Sequence, residues 1–147
     1  MITNNLFLVL FHILYIFVLI PFMIDYNFSA SMSVIIYLLF QIPYLLFGLF
    51  LEPFLNYHKS KFKNMLSFST LFFVGVFFAY LEYSSNSYGP MLFFAMFIAP
   101  SAPIAALFGE FVSSSKETLL WPLFSIPYMI LAWLGMELRR KIRKRVI

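Results

Sequence analysis

Few residues in this chain are of a type that does chemistry at depth. His12 lies between Phe11 and Ile13 in an apolar run, where one imidazole can relay a proton, contact a ligand or bond a neighbouring helix. Gln41 lies two residues before Pro43 and offers a carboxamide as interhelical glue or ligand contact. Ser101 sits between Pro100 and Pro103, in a stretch whose backbone cannot stay helical. Glu52, Glu82, Glu110 and Glu137 each fall near the C-terminal end of an apolar segment, where the helix dipole disfavours negative charge. Basic neighbours compensate Glu52 and Glu137. Glu82 and Glu110 lack them, and are candidates for a cation-attracting mouth or a partner contact.

No catalytic set assembles from these residues. Only two histidines exist, His12 and His58, no glycine-rich phosphate loop is present, and the acid-histidine pairing of intramembrane metalloproteases is missing. The chain has no Cys, which excludes disulfides, thiolate nucleophiles and thiolate metal sites. Neither a metal nor another cofactor is expected, and the reading is non-enzymatic.

The elements that must carry these residues follow from composition. Hydrophobic residues make up 63% of the 147 and charged residues 11%, too little polarity to cover a soluble fold. Five apolar segments can be drawn, at residues 6–24, 34–55, 65–83, 91–112 and 118–136, followed by a basic tail at 137–147. Several reach about 20 residues, enough to cross roughly 30 Å of hydrocarbon. Without the alternation of barrel strands, the expected fold is all-α, a polytopic transmembrane helical bundle forming one integral membrane domain over 1–147. The first segment lacks a basic flank and a cleavage site, and is expected to be retained.

Charge placement sets the topology. Lys59, Lys61 and Lys63 cluster in the second connection, Lys116 stands alone in the fourth, and Arg139, Arg140, Lys141, Arg143, Lys144 and Arg145 form the tail. Both clusters are expected on the cytoplasmic side. Three crossings between them would split the basic residues four against six, whereas two crossings would place nine on one face and one on the other. One of the last three segments is therefore expected not to cross. The 91–112 segment, broken at Ala99-Pro100-Ser101-Ala102-Pro103, is the candidate, either as a re-entrant hairpin or as a kinked helix that still crosses. Small residues four apart there (Ala95 and Ala99, Ala102 and Ala106, Ala105 and Gly109) would let helices approach closely.

A repeat bears on the same question. Leu39-Phe40-Gln41-Ile42-Pro43-Tyr44 returns as Leu123-Phe124-Ser125-Ile126-Pro127-Tyr128, five of six residues matching. A duplication would orient the second and fifth segments alike, again requiring an even number of crossings. The expectation is four crossings with both termini inside, the alternative five. Pro43 and Pro127 are expected to kink their helices. Trp121, Trp133, Tyr26, Tyr57, Tyr83, Tyr88 and Tyr128 mostly fall near segment ends and read as interfacial anchors.

In size, segment count and basic tail the chain resembles the small uncharacterised multi-span membrane proteins of low-GC Gram-positive bacteria. That resemblance implies a multi-pass protein of the cell membrane with a cytoplasmic C-terminus. It carries no diagnostic motif and transfers no functional residue. Expected partners are the bilayer itself, with anionic lipid at the tail, and a second copy or another membrane protein. The charge pattern gives no support for nucleic acid. Two functions follow: an accessory, regulatory or immunity-type protein acting through helix contacts, or a small oligomeric transporter or channel.

Overall fold

The computed structural model describes residues 2–23, 29–51, 60–84, 97, 99–107 and 122–146, and all regular structure among them is helical. In chain order these are α1 (Ile2–Met23), α2 (Ala30–Leu51), α3 (Lys61–Leu66), α4 (Thr70–Ser84), a 3-10 turn (Ala99–Ser101), α5 (Ala102–Leu107) and α6 (Ile126–Val146). The all-α expectation holds. Two helices, α1 and α2, have apolar windows of 18 and 20 residues, long enough to cross a membrane. The described helices do not themselves supply the four full-length spans expected, because α4 has 15 residues and half of α6 is the basic tail.

Each departure from the expected segments has a local cause. The third segment is not one helix over 65–83: α3 starts on Ser60, whose side chain accepts from the Lys63 backbone N–H, and ends in a turn at 67–69. There the Ser67 hydroxyl donates to the Asn64 carbonyl at 2.6 Å, competing with the helical ladder as short hydroxyl side chains do. The fifth segment starts late, after a 3-10 turn at 122–125, and then runs as helix through the tail to Val146. Pro127 is thus the second residue of α6, where its missing N–H costs nothing, so it produces no kink. Pro43 does lie inside α2.

A narrow stripe of α1 faces inward. Asn4, Leu8, His12, Ile16 and Leu19 are buried, while Leu6, Leu10, Leu14, Phe17 and Val18 remain exposed. A helix apolar on both its buried and its open face suits lipid better than water.

The core is the pairing of α2 with α6. Tyr44 meets Tyr128, Gly48 meets Ala132, and Leu49 meets Gly135, so contacts advance together and the helices run parallel. Glycine permits the approach. A Cβ on Gly48 would collide with the Ala132 carbonyl oxygen and stand 2.7 Å from the Met136 nitrogen; one on Gly135 would collide with the Leu45 carbonyl oxygen and stand 2.9 Å from the Leu49 nitrogen. The tightest helix approach thus lies at Gly48 and Gly135. Of the fourth segment's small residues, Ala99 is buried, and Ala95 and Gly109 lie outside the described residues.

Hydrogen bonds gather three distant stretches at one end of the molecule. Asn4 Nδ2 donates to Ser67 Oγ at 2.9 Å, the Thr70 backbone N–H donates to Asn5 Oδ1 at 3.0 Å, and Asn64 Nδ2 reaches Glu137 Oε1 at 3.5 Å. The start of α1, the Lys61 and Lys63 helix and the start of the basic tail therefore share that end.

Candidate functional site

At the middle of the molecule, the repeated motif brings its two tyrosines face to face. Tyr44 of α2 and Tyr128 of α6 are fully buried and stacked, with ring centroids 4.5 Å apart and planes 9° from parallel. Phe11 and Tyr15 of α1 pack edge-on against Tyr44 at 5.5 Å and 5.7 Å. Offset and edge-on arrangements of this kind add about 0.5–1.5 kcal/mol each beyond the area they bury.

Each tyrosine begins a hydrogen-bond chain. His12 Nδ1 lies 2.5 Å from the Tyr44 hydroxyl and Nε2 lies 2.9 Å from the Phe97 carbonyl oxygen. A carbonyl only accepts, so Nε2 carries the hydrogen. In the neutral tautomer that satisfies both bonds, the Tyr44 hydroxyl donates to Nδ1. On the other side the Tyr128 hydroxyl is bonded to Ser101 Oγ, and Ser101 Oγ donates to the Phe124 carbonyl at 3.2 Å. Both chains therefore run from a motif tyrosine through one side chain to a main-chain carbonyl.

The motif backbones are met in matched fashion as well. The Tyr15 hydroxyl donates to the Phe40 carbonyl at 3.2 Å, and Phe40 and Phe124 occupy the same position in the two copies. Ser125 Oγ donates to the Pro122 carbonyl at 2.7 Å. Its counterpart Gln41 is 5% exposed, and its carboxamide makes no hydrogen bond of acceptable geometry, although it lies beside the Tyr128 hydroxyl.

The broken fourth segment supplies the wall opposite α1. Pro100 and Pro103 are fully buried on either side of Ser101, and Pro100, three residues after Phe97, has no N–H to offer the Phe97 carbonyl, which accepts from His12. His12, Ser101, Pro100 and Pro103, separate in sequence, thus fall in one neighbourhood.

Of the acidic candidates, Glu82 does not join it. Glu82 is half-buried near the end of α4, and one of its oxygens has no partner among the described residues. Glu110, with Glu52, lies outside the described residues, as do the loop residues Lys59 and Lys116. Of the tail, Arg139, Lys141, Arg143 and Lys144 are exposed on α6, Arg140 is half-buried, and Arg145 is helical. Among the described residues no group of three potential ligands could hold a metal ion.

Two sequence expectations change here. Tyr128 is a buried core residue and no interfacial anchor, because α6 starts late and the residue falls against Tyr44. Trp133 is likewise half-buried, and its indole N–H has no partner among the described residues. Sequence reasoning also passed over Asn4, Asn64 and Ser67, all buried and bonded, and Tyr44 as a site residue. The signal for the tyrosines was present, since both occupy the last position of the repeated motif.

The fold and site define an all-helical protein with two membrane-length apolar helices and a buried tyrosine, histidine and serine cluster at a broken segment. No protein-family model, curated protein or solved structure matches the chain.

Proposed function

We propose that this is a multi-pass protein of the cell membrane that acts through helix contacts, as an accessory, regulatory or immunity-type subunit, and catalyses no reaction. One observation carries this reading: His12 is bonded to Tyr44 and Ser101 to Tyr128, and both chains end on main-chain carbonyls. An amide carbonyl has no proton to pass on, so neither chain continues as a relay. Two cavities, one between α2 and α6 and one lined by Phe11 and by Pro43 to Phe50 of α2, are walled by apolar side chains, with Gln41 and Tyr37 bearing the polar groups among their described lining residues.

Four crossings with both termini inside remain the proposed topology. The parallel run of α2 and α6 supports it, since it requires an even number of crossings from the end of α2 to the end of α6, and α4 and α6 are those two when the broken segment does not cross. The gathering of residues 4–5, 61–67 and 137 at one end supports it too, as it brings Lys61 and Lys63 to the tail's side. That end, with its exposed cations, is proposed to face anionic cytoplasmic lipid.

The transporter reading keeps one observation in its favour. Parallel repeats meeting beside a discontinuous segment at mid-depth are a layout that transporters use. Flux separates the two. Purified protein in liposomes is expected to leak protons, potassium and small solutes no faster than empty vesicles. A flux abolished by Ser101→Ala or Glu110→Gln would replace the proposal with the transporter reading.

A further inference from the structure

Between α2 and α6 lies an open groove of about 470 Å³, within the size range of small-molecule sites. Leu38, Ile42 and Leu45 wall one side and Pro127, Ile130 and Leu131 the other, with Leu38 and Ile42 exposed at the rim. Among the described residues no charged side chain lines it. Its polar groups come from Gln41 and Tyr37 on successive turns of α2.

Gln41 needs an explanation. Both its Nε2 and its Oε1 are buried and without a partner among the described residues, and in hydrocarbon an unsatisfied amide costs several kcal/mol. The neighbouring Tyr128 hydroxyl gives its one hydrogen to Ser101, so it offers Gln41 Oε1 no donor, and Gln41 Nε2 does not meet it with hydrogen-bond geometry. Its terminal torsion is soft, so small rotations can turn either the N–H or the C=O toward the groove. An occupant bringing one acceptor would satisfy its N–H.

Depth narrows the chemistry. Gln41 is the twelfth of the 22 residues of α2, which at about 1.5 Å per residue puts it roughly 15 Å from either end. Phospholipid headgroups do not reach that level. Charged molecules are disfavoured there, the more so with no countercharge in the groove. We infer that the groove binds a neutral apolar molecule of the quinone class, which enters from the bilayer and accepts a hydrogen bond from Gln41 Nε2 through one of its carbonyls. The inference rests on the proposed membrane setting, which cysteine labelling tests independently.

The test uses the full-length protein in phosphatidylcholine nanodiscs, titrated with decylubiquinone and read by quenching of its tryptophan fluorescence; Trp133 sits on α6 beyond the groove. Saturable quenching is expected, left unaffected by decylbenzene, which has a tail and no hydrogen-bonding head. Gln41→Leu should weaken binding at least tenfold while keeping the near-ultraviolet dichroism of the fold, since it removes an unpaired amide. Leu45→Trp, which fills the groove, should weaken binding to a similar extent. Non-saturable quenching, equal quenching in Gln41→Leu, or equal competition by decylbenzene would overturn the inference. So would a disulfide-linked dimer of Leu38→Cys that binds no quinone, because a second copy would then occupy the groove.

Discussion

Gly135→Ala sets two physical effects of opposite sign against each other. By helix propensity alone, alanine in place of a mid-helix glycine stabilises by about 1 kcal/mol. The structure predicts the reverse. The new methyl would collide with the Leu45 carbonyl oxygen and lie 2.9 Å from the Leu49 nitrogen, and both are backbone atoms that no rotamer change can move. Ordinary carbon-to-oxygen contacts are about 3.3–3.6 Å, so α2 and α6 must move apart. Overpacking of this kind costs about 1–3 kcal/mol, and separation of the pair also weakens the Tyr44–Tyr128 stack, worth about 0.5–1.5 kcal/mol. After the propensity gain, a net loss of about 2 kcal/mol remains. Reversible unfolding in mixed micelles, followed by tyrosine near-ultraviolet dichroism, measures it. Gly75→Ala is the control: its Cβ would meet the Phe97 ring at 3.1 Å and the Pro122 side chain at 3.4 Å, contacts that can relax. A Gly135→Ala protein as stable as wild type, or more so, would refute the parallel close crossing.

Tyr44→Phe should lower stability by about 1–3 kcal/mol, because it leaves His12 Nδ1 buried without its donor while keeping the ring stack; additivity with Tyr128→Phe in a double-mutant cycle checks that the two hydrogen-bond chains are separate. With no native Cys, single cysteines at Ser60, Ser85 and Ser114 can be labelled by an impermeant reagent in intact cells. Ser85 and Ser114 should label and Ser60 should not; a protected Ser114 would eliminate the non-crossing fourth segment. Replacing Arg139, Lys141 and Arg143, all exposed, with Gln should weaken association of the tail with phosphatidylglycerol bilayers by about 1 kcal/mol per residue, an effect that added salt removes; an unchanged, salt-insensitive tail would sink the lipid-anchor role.

Much of this was legible in the residues themselves. Apolar runs near 20 residues imply helices, because backbone groups away from water must be satisfied within the segment, and Pro100 with Pro103 must interrupt one, because proline lacks the N–H a helix needs. The Leu-Phe-x-Ile-Pro-Tyr repeat, read as a duplication, orients the second and fifth segments alike, and His12 stands out as an ionisable group within an apolar run. These conclusions rest on composition and local stereochemistry, which neighbours cannot alter.

Contact between residues far apart in the chain was decided only by the tertiary structure. Tyr128 looks like an interfacial anchor until α2 is laid beside it, and Gly48 and Gly135 are unremarkable until each is seen under the other helix's carbonyl. Ser67 breaks the third helix because Asn4 and Asn64 give its hydroxyl a buried setting in which to compete for the backbone. Hydrogen bonds and close packing act over about 3–4 Å, whereas sequence patterns report only which face of a helix is apolar. Pairing of faces is set by the sum of many such short contacts, and that sum exists only once the chain has folded.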